Sequence, residues 1–351
     1  MKSMPTRTFL ALLLALIVVM FCSSYAYAGS KATDEAALMR GFKGKIELDT
    51  RNSKPDWKPF LPKKAPEGAP NILFILYDDT GQAAWSPYGG RIHMPTLDKL
   101  AAEGITYTQW HTTSLCAPTR STLQTGRNHH LNSYGSITET ASGYPGYNGR
   151  FPKQVTTIAE VLQANGYATL WLGKDHNVPE QDVAPGGYRG EWPLQKGWDR
   201  FYGFLGGETN QWYPDLVKDN DFIDQPYMPD DGYHLSKDLV DQAIEMLRNK
   251  NASNPSKPFF MWFCPGANHA PHQVPKEYIA KYKGKFNDGY DAYRIWATKR
   301  MKEKGVIPED TVNTAINPIP KDLANKLDQV RPWDSLNDKE KLLFNRLAEV
   351  S

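Results

Sequence analysis

The chain has 351 residues, 40% hydrophobic and 23% charged, with 41 Lys and Arg against 39 Asp and Glu. That balance is ordinary for a globular protein and excludes a disordered or fibrous chain. A formal charge of +2 also excludes a global field for nucleic acid or an anionic membrane surface, so any bound anion must be held by a local site.

Lys2 and Arg7 precede 14 apolar residues, Phe9 to Cys22, and Ala26-Tyr27-Ala28 puts small residues at the two positions that specify cleavage. The run is short for a membrane span and suits a signal-peptide core. Residues 1–28 are therefore expected to be removed near Ala28 on export to the periplasm or the medium, leaving no stable membrane anchor. Their loss takes two cations and no acid, and the mature balance becomes 39 against 39. Residues 29–68, with Pro55, Pro59, Pro62 and Pro66, read as an N-terminal arm, and residues 69–351 as one domain.

Regular structure is expected from Ile72 to Tyr77, a continuous apolar run of the kind buried on both faces of a parallel sheet. Thr96 is placed to cap a helix through Leu97, Leu100, Ala101 and Ala102 that stops at Gly104, and Ile105 to Thr108 reads as the next strand. Thr156 or Thr157 caps a helix carrying Ile158, Val161 and Leu162 and ending at Gly166; Tyr167 to Leu172 follows as a strand. Residues 236–249 have the apolar spacing of an amphipathic helix, and Pro258 to Cys264 is another buried strand. Between 177 and 233 the chain is rich in Gly, Pro, Trp and Tyr and reads as long loops over a site. There Trp192, Trp198, Trp212 and Tyr213 either pack loops or line an aromatic pocket. The alternation gives an α/β class, with a mostly parallel central sheet flanked by helices.

Cys22 leaves with the expected signal segment, so Cys116 and Cys264 remain, too few for a disulfide framework. Cys264 ends an apolar strand. Cys116 lies beside Pro118 and Arg120, and Pro118 suits the first turn of a helix, which sets Cys116 at the positive end. Backbone N–H groups there suit an anion, and a plain thiol would be acidified. Asp78-Asp79, directly after the first strand, are adjacent carboxylates of the type that hold Ca²⁺ or Mg²⁺, or else a solvated turn. Lys174 and His176, just past another strand, are set to address one oxyanion, and a histidine such as His269 suits a general acid.

Cys116-Ala117-Pro118-Thr119-Arg120 followed by four residues and Thr125-Gly126 resembles the signature of the formylglycine-dependent sulfatases of the alkaline-phosphatase superfamily. Gly173-Lys174-Asp175-His176 and His269-Ala270-Pro271-His272-Gln273-Val274-Pro275 match two further patterns of that family. The resemblance implies that a formylglycine-generating enzyme oxidises Cys116 to an aldehyde, whose hydrate attacks sulfur with one hydroxyl and later expels sulfate with the other. It implies metal ligation by Asp78, Asp79 and position 116, sulfate neutralisation by Arg120 and Lys174, a hydrogen bond from His176 to the formylglycine hydroxyl, and proton donation by His269. The implied substrate is a small sulfate ester, aryl esters preferred. His272 falls where relatives are apolar and reads as a bystander or substrate contact.

The family's later Asp-Asn metal pair and second Lys have no counterpart here. Asp219-Asn220 is the nearest match, in the loop-rich stretch with no strand expected before it. The sequence is thus expected to lack the C-terminal part of the fold. Three alternatives stand beside the arylsulfatase reading: a phosphonate or phosphodiester hydrolase of the same superfamily, an inactive remnant with a partial metal site, and a thiol hydrolase using unmodified Cys116.

Overall fold

The computed structural model describes residues 39–316 and 329–351, so the expected signal segment lies outside the described residues. By contacts the chain divides into two units, Met1–Lys63 and Lys64–Ser351. In the first, an antiparallel bridge between Lys45 and Lys54 closes a loop carrying the 3-10 turn Thr50–Asn52, and the Phe42 and Phe60 rings meet at 6.4 Å.

Among the described residues the second unit holds six strands: β1 (Ile72–Ile75), β2 (Ala168–Lys174), β3 (Arg200–Phe204), β4 (Leu216–Lys218), β5 (Asp221–Ile223) and β6 (Phe259–Cys264). They form one sheet in the order β1-β6-β2-β3-β4-β5. The pairs from β1 to β3 are parallel, and β3-β4 and β4-β5 are antiparallel. Seven helices accompany the sheet among the described residues: α1 (Pro95–Glu103), α2 (Cys116–Thr125), α3 (Ile158–Ala164), α4 (Leu235–Ser253), α5 (Lys276–Tyr282), α6 (Gly289–Glu303) and α7 (Asp338–Val350).

Alternation of side chains along the central strands splits the core between two faces. Trp171, Phe201, Phe260 and Trp262 point to one face, against Trp192, Trp198 and the α3 residues Ile158 and Leu162. Leu170, Leu172, Tyr202, Phe204 and Met261 point to the other, under Leu235, Leu239, Ala243 and Met246 of α4. Each large apolar side chain so buried contributes roughly 1.5–3 kcal/mol. Trp192 and Trp198 are therefore core packing rather than pocket lining, whereas Trp212 is half-buried and Tyr213 exposed.

The expected strands at 72, 167 and 258, and the helix across 236–249, are present. The cap of α3 is Thr157, in a capping box with Glu160. Four expectations need correction. Helix α1 starts at Pro95, not after Thr96; proline at the first position suits a helix start, and Ser86 Oγ takes the Met94 N–H. Residues 105–108 form no strand: Ile105 and Tyr107 are exposed, and an apolar run without a partner makes no ladder. The 177–233 stretch supplies half of the strands instead of loops alone. Asp219 does follow a strand, β4, but it closes the hairpin to β5 and its carboxylate accepts from Arg200 Nε at 3.0 Å.

Gly173, near the end of β2, has φ +93, and a Cβ there would lie 1.8 Å from the Cys264 carbonyl oxygen. Only glycine lets β2 and β6 close at this point. Gly173→Ala is expected to lose about 1–3 kcal/mol from the backbone conformation alone, with the clash added. Urea unfolding measures this, and an unchanged midpoint would refute the close approach.

Candidate active site

Strands β1, β6 and β2 are neighbours and parallel, so their carboxyl ends share one edge of the sheet, the usual place for ligands in α/β folds. The segments leaving that edge are 78–80, 265–269 and 175–177. Asn268 Nδ2 donates to Thr80 Oγ1 at 3.3 Å, joining the first two.

Asp78 is buried and is gripped by two cations. Lys174 Nζ donates to its Oδ2 at 2.6 Å and Arg120 to its Oδ1 at 3.3 Å. A second Arg120 nitrogen donates to the Lys174 carbonyl at 3.0 Å, so the start of α2 and the end of β2 are bolted together. Burial would raise the Asp78 pKa, but the Arg120 and Lys174 charges overcome it and hold the carboxyl below its ordinary value. Arg120 and Lys174 are themselves buried.

Cys116 is the first residue of α2. Leu115 at the N-cap offers no side-chain bond, so the first-turn N–H groups lack a side-chain cap and suit an anion. Asn177 fixes this turn: its Nδ2 donates to the Ala117 carbonyl at 3.0 Å, while Gln124 and Tyr134 donate to its Oδ1 and carbonyl. Cys116 Sγ lies 2.9 Å from His176 Nδ1. Burial opposes ionisation of the thiol, yet the His176 hydrogen bond and the Lys174 charge leave its pKa lowered. His176 has φ +62, and its Nε2 meets the Glu139 carboxylate at 2.8 and 3.0 Å. Burial pushes the imidazole pKa down, but the bonds to Cys116 and Glu139 prevail and raise it.

Asp79 lies beside this cluster with an exposed carboxylate, 3.5 Å from His269 Nε2; the other ring nitrogen stands 3.7 Å from Glu208. His269 and His272 both line a cavity of about 680 Å³ with Gln211, His234 and Tyr278. The structure thus brings Asp78, Cys116, Arg120, Lys174 and His176 together, with Asp79 and His269 paired alongside. As a metal site the set is incomplete: both Asp78 oxygens serve cations, and the described residues hold no group of three His, Cys, Asp or Glu able to bind an ion. Ca²⁺ asks for roughly six to eight oxygens.

Sequence reasoning missed Glu139, Asn177 and Glu208. Asn177 follows the Lys-Asp-His segment directly, and that adjacency was its signal. Glu139, in a 3-10 turn between α2 and α3, carries none.

Removing Asp78 would strand two buried cations. Asp78→Ala is expected to cost about 3–5 kcal/mol, and Asp79→Ala, whose carboxylate is exposed, clearly less; equal urea midpoints for the two would refute the grip. Asp175 is buried with Oδ2 unpartnered, and burial pushes its pKa up to about 7. A carboxyl raised in this way keeps a proton that the unfolded chain has released. Its contribution is present below the ordinary Asp range and is lost as pH rises through about 7. Stability is therefore expected to fall between about pH 4 and 7, and Asp175→Asn to flatten that slope in unfolding measured across the range.

Residues 70–338 match the family described as Sulfatase. The chain is 32% identical over 302 residues to an uncharacterized sulfatase of Schizosaccharomyces pombe, covering 82% of this chain and 52% of that protein. It is 29% identical over 293 residues to an arylsulfatase of Klebsiella aerogenes, covering 82% and 59%. The chain spans about half the length of these relatives. Among solved structures, a Bacteroides fragilis protein assigned as a sulfatase has a TM-score of 0.51 at 18% identity over 70% of this chain and 60% of that one, a likeness of fold. With the family match running through the whole α/β sheet and every segment of the site, the chain belongs to the sulfatase family.

Proposed function

We propose that the chain hydrolyses sulfate esters, aryl esters preferred, through a formylglycine hydrate made from Cys116 by a maturation enzyme. The observation that carries this reading is the placement of position 116. It sits at the uncapped start of α2, 2.9 Å from His176, with Arg120 and Lys174 anchored behind it on Asp78. Sulfate-ester cleavage needs a nucleophile in line with sulfur, positive charge about the non-bridging oxygens, and a proton for the leaving group. In this reading Sγ of Cys116 stands where a hydroxyl oxygen of the hydrate would be. Arg120, Lys174 and the first-turn N–H groups meet the growing negative charge, the largest catalytic contribution in most such sites. His269 protonates the leaving oxygen from the cavity side, and a phenolic leaving group makes the least demand on it.

Ca²⁺ or Mg²⁺ at Asp78, Asp79 and position 116 belongs to the same proposal, and when bound it would supply Lewis acidity. The described residues by themselves do not close a cage around such an ion. Export with removal of residues 1–28 is likewise proposed; no helix among the described residues is long and apolar enough to cross a membrane.

The test is co-expression with a formylglycine-generating enzyme, then mass spectrometry of the peptide containing position 116 and assays on nitrophenyl sulfate and bis-nitrophenyl phosphate. The aldehyde mass should replace the thiol, and sulfate turnover should fall more than about 1000-fold in Cys116→Ala. A thiol that persists at 116, or faster turnover of the phosphodiester, would overturn the proposal.

A further inference from the structure

We propose that Glu139 is a positioning residue for the reaction at position 116: it accepts the Nε2–H of His176 and thereby turns the Nδ1 lone pair onto the group at 116. The inference rests on the reading of position 116 as the reacting group, and it concerns a residue outside every motif of the sequence.

A neutral imidazole has one donor nitrogen and one acceptor nitrogen, and which is which follows from their partners. Both oxygens of Glu139 lie within hydrogen-bond distance of Nε2, at 2.8 and 3.0 Å. An ionised carboxylate accepts only, so Nε2 carries the hydrogen. In the neutral ring Nδ1, 2.9 Å from Sγ, is then the acceptor and the group at 116 the donor. This is the polarity a hydroxyl at 116 needs if its proton is to leave along the O–H···Nδ1 line. The opposite tautomer would present N–H to that hydroxyl and offer the proton no acceptor.

Three further contacts hold the pair in place. The His176 backbone N–H donates to the Leu205 carbonyl at 3.1 Å, fixing the ring's stem to the end of β3. Thr138 Oγ1 donates to Glu139 Oε2 at 3.3 Å, so the carboxylate is oriented by its own turn. Gly207 lies directly over the contact: a Cβ built there would come within 2.8 Å of Glu139 Oε1 and of His176 Cε1 and Nε2. No side chain fits at 207 unless the pair moves. Glu139 also stays ionised, since the His176 bond draws its pKa down to about 2.

The deciding measurement is the tautomer of His176 in the full chain with Cys116 as a thiol. It is read from long-range ¹H–¹⁵N spectra of histidine-labelled protein at a pH where the ring is neutral. His176→Asn identifies the signal. The wild type is expected to show a protonated Nε2 and a bare Nδ1. Glu139→Gln, whose amide oxygen still accepts, should keep that pattern. Glu139→Ala should mix the tautomers, and so should Gly207→Ala, which retains both partners but wedges a methyl group against them. A wild type with Nδ1–H, or a Glu139→Ala spectrum identical to wild type, overturns the inference. In protein matured at position 116, Glu139→Ala should lower kcat about 10- to 100-fold, the range for carboxylates that orient histidines, with KM unchanged and Glu139→Gln restoring most of the loss. Unchanged kcat also overturns it. An absence of sulfate turnover in the wild type would sink the functional reading above, while the spectra would still decide the role of Glu139.

Discussion

A single buried carboxylate organises the site. Asp78 sits where β1 ends, Lys174 where β2 ends, and Arg120 one turn into α2, and the three close on one another out of water. Burying any one of these charges alone would cost several kcal/mol, so each is tolerable only in the presence of the others. The cluster therefore sets the relative positions of two strand ends and a helix start. Two cations against one carboxylate leave a net charge of one positive unit behind the start of α2.

Position 116 is held from two sides. On one, Asn177 ties the first turn of α2 to the loop leaving β2, and Gln124 and Tyr134 tie Asn177 in turn. On the other, His176 faces Sγ from a left-handed backbone conformation that the bonds to Leu205 and Glu139 sustain. Strain of this kind persists where surrounding contacts over-determine the residue, and it gathers at functional sites. Position 116 is thus placed by tertiary packing, and the helix end contributes partial charge rather than geometry.

The parts legible in the sequence were those with a local signature. The strands at 72, 167 and 258 are continuous apolar runs, the Cys-Pro-Arg spacing is one turn of α2, and Lys-His spans the end of β2 and the loop leaving it. Strand β3 escaped because Gly203 breaks its run and aromatic loops surround it; β4 and β5 have three residues each, below any useful period. Residues 105–108 showed the converse, a strand pattern without a strand, since pairing depends on a neighbour that local sequence does not specify. The grip on Asp78 joins positions 42 and 96 residues apart, and Glu139 lies 37 residues from His176; no spacing rule spans such gaps.

Cys264, at the far end of β6, is wholly buried, and burial pushes its thiol up to about 12. Cys116 is only half-buried, with its acidity increased. Toward an electrophile or an oxidant an unmodified Cys116 is therefore the reactive one of the two sulfhydryls among the described residues. Selective labelling of the native state at one sulfur needs no mutation of the other, and unmasking of the second sulfur becomes a chemical clock for opening of the sheet.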